Sequence, residues 1–262
     1  MSHERKNRAL LIVNYDFCSR WSSEKLQSRP GAKKEADRLF KALSHCNYTV
    51  KLCYDLTAKE IEDVYEEECD AEHGDCFVSI ISSHGTEGII FDCEGQPVQL
   101  TQIFKILSPQ KCHKLAGKPK IFFIQACRGE DIEHGVCLQT DGAGPQSDCF
   151  SHYLSIPDNT AVMFSCSPGY VSFINPWESM FLKALLDLLR GEERGLEVTR
   201  LMTRISWKVA YHCEAKGTHR GAKEMPCFVT NMVEAVYPFR RQASGDQDFR
   251  LTPEEGGIHP TS

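Results

Sequence analysis

No apolar run in the 262 residues approaches the roughly 20 residues that cross a bilayer, so a membrane role has no support. A basic excess is also missing. Lys and Arg number 30 against 36 Asp and Glu, a net charge of −6. A mildly acidic chain lacks the electrostatic footprint of a nucleic-acid binder. Met1 to Lys6 is polar and leads directly into an apolar stretch, so no secretory signal is visible. There is no Cys-x-x-Cys pair and no tight Cys/His cluster, which argues against a metal site of the zinc type. Internal repeats are absent. What the chain has in quantity is cysteine, 13 in all. An odd count without a secretory segment reads as a reduced, cytoplasmic protein in which most thiols are inert packing residues. The length suits one α/β domain with a sizeable core.

Hydrophobic periodicity places the elements. Arg8–Phe17 reads as a buried strand. Gly31–Cys46 carries Ala36, Leu39, Phe40 and Leu43 at helical spacing. Tyr48–Tyr54 alternates as a strand, and Thr57-Ala58-Lys59-Glu60 is a capping box opening a helix to about Cys69. Phe77–Ser83 and Lys120–Ala126 are apolar strands. Between them lie a small hairpin, Ile89–Phe91 with Pro97–Leu100, and a helix Gln102–Leu107 with Thr101 as its cap. The segment Glu130–Pro157 has few large apolar residues and reads as a linker. Then come a strand Thr160–Cys166, amphipathic helices Glu178–Arg190 and Leu196–His212, and a last strand or strand pair over Pro226–Tyr237. Arg240–Ser262 is rich in Gly, Pro and charge, the composition of a disordered tail. Strands alternating with helices predict an α/β class with a mainly parallel sheet.

Two of these strands end on reactive residues. Phe77–Ser83 runs into His84-Gly85, and Lys120–Ala126 runs into Cys127-Arg128-Gly129. A strand, a crossover and a second strand make right-handed parallel neighbours. Ligands gather at the carboxyl ends of such strands. His84 and Cys127 should therefore meet. A thiol needs a base or a positive field to become the reactive thiolate, and histidine can take that proton and return it to a leaving amine. Gly85 and Gly129 permit sharp turns beside both side chains. The backbone N–H groups of Gly85 and Cys127 are candidate oxyanion donors.

Gln125-Ala126-Cys127-Arg128-Gly129 matches the caspase signature, and Ser83-His84-Gly85 supplies the histidine upstream of it. Ser28-Arg29-Pro30-Gly31, Ala116-Gly117-Lys118-Pro119-Lys120, Ser167-Pro168-Gly169-Tyr170 and Met225-Pro226-Cys227 also resemble that family, over roughly Arg8 to Phe239. The resemblance implies a three-layer α/β fold with a mainly parallel six-stranded sheet flanked by helices. It implies a cofactor-free cysteine endopeptidase that cuts protein substrates after aspartate, with Cys127 as nucleophile and His84 as acid/base. It also implies a role in apoptosis, with inflammation and differentiation as variants. A precursor would be divided into a leading segment 1–7, a large-subunit region 8–141, a linker 142–157, a small-subunit region 158–239 and a tail 240–262. Asp141, before Gly142, has the form of a processing site, and Asp148 is the second candidate. No recruitment domain precedes Arg8, as in effector-type members.

The same resemblance assigns the substrate pocket. Arg29 and Gln125 would hold the P1 carboxylate, since a bidentate arginine suits a carboxylate. Val171 and Phe173 would line the adjacent subsite with Asn175 close to it, and Ser172 is a further substrate-binding residue. The family's second pocket arginine follows the aromatic at Phe173, and here that position is Ile174. No Lys or Arg lies between Gly169 and Lys183 to replace it. The implied assembly is a homodimer of large/small subunit pairs joined through the last strand. The rival reading is a weakly active caspase-fold regulator that heterodimerises with an active caspase.

Overall fold

A computed structural model of the chain describes residues 5–18, 26–131, 156–170, 172, 174–175, 178–212, 214 and 221–240. Strands β1 (Arg8–Val13), β2 (Thr49–Tyr54) and β3 (Phe77–Ser82) are followed by a small antiparallel sheet of β4 (Gly85–Thr86), β5 (Ile89–Phe91) and β6 (Pro97–Gln99). Then come β7 (Lys120–Gln125), β8 (Gly129–Asp131), β9 (Thr160–Phe164), β10 (Gly169–Tyr170), β11 (Ile174–Asn175), β12 (Glu178–Ser179) and β13 (Cys227–Thr230). The helices are α1 (Ala32–His45), α2 (Ala58–Asp70), α3 (Leu100–Ile106), α4 (Met180–Arg190) and α5 (Val198–His212).

The central sheet has 6 strands in the order β13-β9-β7-β3-β1-β2. All its pairs are parallel except β13 against β9. Strands β3 and β7 are buried along their whole length, which is why they read as continuous apolar runs. Alternate residues face opposite layers. Leu11, Ile80, Phe123 and Met163 pack with Leu39, Phe181, Leu185 and Leu201 of α1, α4 and α5. Leu10, Ile81, Phe122 and Val162 pack with Ile61, Tyr65, Ile103 and Phe104 of α2 and α3. Those are the three layers. No helix among the described residues is long and apolar enough to cross a membrane.

Most elements stand where periodicity puts them, and the exceptions have local causes. The Thr57–Glu60 capping box is made in both directions. Helix α3 starts at Leu100, not after a Thr101 cap. Leu100 is buried, its N–H bonds to Gly88 O, and the Gln102 side chain returns to Gln99 N. Phe40 matches the period of α1 but is 37% exposed, because the inward face runs through Glu35, Ala36, Leu39 and Leu43. The ordered chain reaches past Glu130, since β8 pairs with β10. At the other end β13 stops at Thr230. Its partner β9 begins at Thr160, and Asn231 turns the chain by bonding Pro157 O and the Thr160 N–H. Val233, expected in the strand, is 95% exposed. Of the proposed linker only Ile156 and Pro157 are described. Asp141 and Asp148 lie outside the described residues, as does the tail beyond Arg240.

One cysteine expectation is overturned. Cys69 at the end of α2 and Cys112 before β7 form a disulfide across 43 residues. Packing explains the pairing: both belong to the apolar layer under α2 and α3, which brings the two sulfurs together. By the chain-entropy account, closing a loop of that length contributes about 4 kcal/mol.

Candidate active site

Strand register assembles the site. Ser82 pairs with Gln125 across β3 and β7, and Ser83 N–H bonds to Gln125 O. Continuing that register sets His84 level with Cys127. Gly85 cannot be anything larger. A Cβ there would stand 2.5 Å from Ile89 O and 3.0 Å from Ala126 Cβ. At Gly129 a Cβ would stand 2.0 Å from Gly169 O. These glycines allow backbone to approach backbone: Arg128 N–H bonds Tyr170 O, and Gly169 N–H bonds Arg128 O. Arg128 itself is buried and turned away from the site. It reaches Cys166 O, Cys227 Sγ and Glu87, and lies over the Phe164 ring. Its neighbour Cys127 is left at the mouth of a cavity.

That cavity, of about 330 Å³, is lined by Arg29, Ser83, His84, Gln125, Cys127 and Ser172 among others. All six are residues of, or next to, the motifs singled out in the sequence. The Cys127 thiol is in contact with Ser172. The Ser172 N–H donates to Sγ at 3.4 Å, and Sγ lies 3.8 Å from Ser172 O. Burial pushes its pKa up, against the Ser172 N–H and the Arg29 charge. Burial likewise lowers the pKa of His84. His84 Nε2 stands 2.8 Å from Gln27 O. A carbonyl only accepts, so Nε2 carries the proton and Nδ1 is the basic nitrogen. Phe17 packs on the ring, centroids 4.8 Å apart.

Arg29 is 6% exposed. Its Nη1 donates to Asn14 O at 3.0 Å and its Nη2 to Ser82 Oγ at 2.9 Å. Burial lowers its pKa to about 10, so it is cationic at neutral pH. Asn14 is the hub that aligns this wall: its N–H bonds Ser82 O, its Nδ2 donates to Phe91 O, and its Oδ1 accepts from Leu56 N. Glu35, on α1 near Arg29, accepts from the Ser179 N–H and Oγ at the start of α4. Burial lifts its pKa to about 7. On the other wall Gln125 Nε2 donates to Ser172 Oγ at 2.5 Å, and Ser172 Oγ donates to Glu224 at 2.7 Å.

Of the residues expected from sequence, Cys127, His84, Arg29, Gln125 and Ser172 line one cavity, and Gly85 directly follows His84. Ile174 and Asn175 lie in β11, paired with Ser179 and Glu178. Val171 and Phe173 fall outside the described residues. Gln27, Asn14 and Glu224 were not anticipated. Gln27 and Asn14 act partly through backbone carbonyls, which carry no sequence signal. Glu224 is 52 residues from Ser172 in sequence.

The chain matches the family model described as the caspase domain over residues 6–237. It is 29% identical to caspase-7 of Gallus gallus over 249 residues, 90% of this chain and 78% of that one. Caspase-3 of Mesocricetus auratus is 30% identical over 243 residues, covering 90% of this chain and 85% of the relative. The crystal structure of caspase-1 from Spodoptera frugiperda superposes with a TM-score of 0.78 at 25% identity, covering 93% of each chain.

Proposed function

The chain belongs to the caspase family, which makes it a cysteine-type endopeptidase, and we propose that it cuts proteins after an acidic P1 residue using Cys127 and His84. The supporting observation is the shared cavity of about 330 Å³, which holds a thiol, an imidazole and a buried guanidinium at the carboxyl ends of adjacent strands. In this reading His84 Nδ1 takes the Cys127 proton and the thiolate attacks the scissile carbonyl. The oxyanion is held by the N–H groups of Gly85 and Cys127. The imidazolium then protonates the leaving amine, and water hydrolyses the thioester. Arg29 and Gln125 receive the P1 side chain, and Val171, Phe173 and Asn175 border the next subsite. The proposed setting is the cytoplasm, with apoptosis as the process. A purified chain that cleaves no peptide of the form x-Asp-x would refute the acidic-P1 reading.

Ile174 sets the strength of that preference. Isoleucine offers neither charge nor donor where the family's second arginine stands. A hydrogen bond to a charged group contributes about 1.5–3 kcal/mol. Ile174→Arg should therefore raise kcat/KM for P1 aspartate by about 10- to 150-fold. An unchanged rate and an unchanged preference would show that the pocket does not depend on this position. Ile174 also favours the rival reading, a weak enzyme that works by pairing with an active caspase.

Maturation and assembly are proposed together. Cleavage after Asp141, with Asp148 as second site, would divide large from small subunit. Strand β13 is an edge of the sheet with Phe228 36% exposed, and Met225 and Tyr237 flank it at 47% each. An exposed apolar edge is an aggregation hazard unless paired, and pairing with its own copy is the commonest solution. Mass spectrometry of concentrated protein should find a fragment ending at Asp141, and sedimentation should give twice the mass of one cleaved chain. An Asp141→Ala, Asp148→Ala protein of equal activity, or a fully active monomer, would contradict the respective half.

A further inference from the structure

The chain that leaves β1 is tied down from two sides. The N–H groups of Tyr15 and Asp16 both donate to Asp55 Oδ1, at 2.8 and 2.9 Å. The Cys18 N–H donates to Cys93 O at 3.0 Å. Asp55 directly follows β2, and Cys93 stands between β5 and β6. Between these ties is Phe17, 5% exposed. Its ring meets the His84 imidazole, with centroids 4.8 Å apart and 53° between the planes. A second contact reaches the imidazole at its edge, where Gln27 O accepts from Nε2 at 2.8 Å. The His84 backbone is held as well, its carbonyl accepting from the Phe91 N–H at 2.8 Å. A side chain turns about two torsions here, and one contact against the ring with another at its edge restrains both.

His84 lines the cavity with Cys127 and Arg29, whereas Phe17 is not among the described residues that line it. Phe17 therefore acts on the ring and not on the substrate pocket. An apolar ring packed there also keeps water away, which disfavours the imidazolium. Burial is the largest cause of the lowered His84 pKa; the Arg29 charge acts in the same direction and the Gln27 carbonyl against it. Resting on the reading of His84 as the acid/base partner of Cys127, we propose that Phe17 is a positioning residue for the reaction. Held by the ties to Asp55 and Cys93, it fixes the imidazole in the attitude from which Nδ1 takes the thiol proton. Its contribution falls on kcat, because the groups that receive P1 lie elsewhere in the cavity.

The test follows cleavage of one x-Asp-x peptide across pH by the full chain and by Phe17→Ala, Phe17→Tyr and Asp55→Ala. Phe17→Ala frees the ring and should lower kcat by about 10- to 100-fold, with KM kept within about threefold. It also admits water to the imidazole, so the His84 pKa rises toward its ordinary value. The base must be neutral to act, and the acid limb of kcat/KM should therefore move to higher pH. Phe17→Tyr keeps a flat ring and should recover most of kcat and the original limb. Asp55→Ala releases the Tyr15 and Asp16 donors and loosens Phe17 from a distance. It should give the same signature more weakly, and it serves if Phe17→Ala does not fold. A merely structural role would lower the melting temperature and leave the acid limb where it was. Folded variants with an unmoved limb and an unchanged kcat overturn the proposal and leave the protease reading standing. A raised KM with kcat kept also overturns it, since Phe17 would then serve substrate binding. An unmodified chain that cleaves no x-Asp-x peptide overturns the protease reading, and this proposal with it.

Discussion

Cys127→Ala should abolish peptide hydrolysis, and His84→Ala should lower kcat/KM by about 10³- to 10⁴-fold, the range of a positioned acid/base. The two losses are not additive, because both groups act in one proton transfer. Cys76→Ala should leave turnover intact, since that thiol is buried against the Tyr48 hydroxyl on the far side of β3. The resting protonation state makes a sharper test. Burial raises the thiol pKa and lowers that of the imidazole, so both groups are neutral near pH 7. On the proposed mechanism, then, no thiolate–imidazolium pair is expected before substrate binds. The sign follows directly. A raised thiol pKa means that the free enzyme's reaction with iodoacetamide accelerates only on the alkaline side of an ordinary thiol. An inflection at or below neutrality would show a preformed ion pair and overturn this account. Hydrolysis surviving in Cys127→Ala would remove the mechanism altogether.

Arg29→Ala has the second largest expected effect, on both catalysis and stability. Losing the guanidinium removes the pocket's cation, worth about 1.5–3 kcal/mol per bond to a charged partner. For each bond that Arg29 makes to substrate, kcat/KM for P1 aspartate should fall by about 10- to 150-fold. Asn14 O and Ser82 Oγ also lose their donors inside the protein. An unsatisfied buried group costs about 1–3 kcal/mol, so thermal unfolding should shift downward as well. Arg29→Lys should not rescue either property, because one ammonium cannot serve those two acceptors and P1 in the same plane. Burial lowers the Arg29 pKa, but a guanidinium stays protonated, so the pocket keeps its cation at neutral pH. An Arg29→Ala protein with unchanged KM and kcat would place the P1 carboxylate elsewhere.

Much of this architecture was legible because it is written locally. The runs ending at Ser83 and Ala126 are apolar throughout, since β3 and β7 are covered on both faces, and that pattern needs no partner to be read. Their spacing equals the register that sets His84 beside Cys127, so the pairing follows once the two strands are known to be parallel. The Thr57–Glu60 cap closes within four residues. The motif resemblance added Arg29 and Gln125, which periodicity alone would leave as a surface cation and a strand residue.

What the chain could not declare is where distant residues meet. Thr101 looks like a cap, but a buried Leu100 draws the helix start forward. Pro226–Tyr237 is apolar enough for a long strand, yet β9 supplies partners only as far as Ala161. Among the described residues Cys69 and Cys112 pair, and packing under α2 and α3 selects them. Gln27 orients His84 through a carbonyl every residue possesses. The Glu224–Ser172–Gln125 chain joins three segments, and the direction of its hydrogen bonds depends on all three being present. The sequence by itself determined the sheet and the placing of a candidate thiol and imidazole at the ends of its neighbouring strands, because each rests on local pattern. Tertiary structure alone decided the protonation of the imidazole, the orientation of Gln125 and the disulfide, because burial and hydrogen-bond direction are properties of neighbours that sequence order does not bring together.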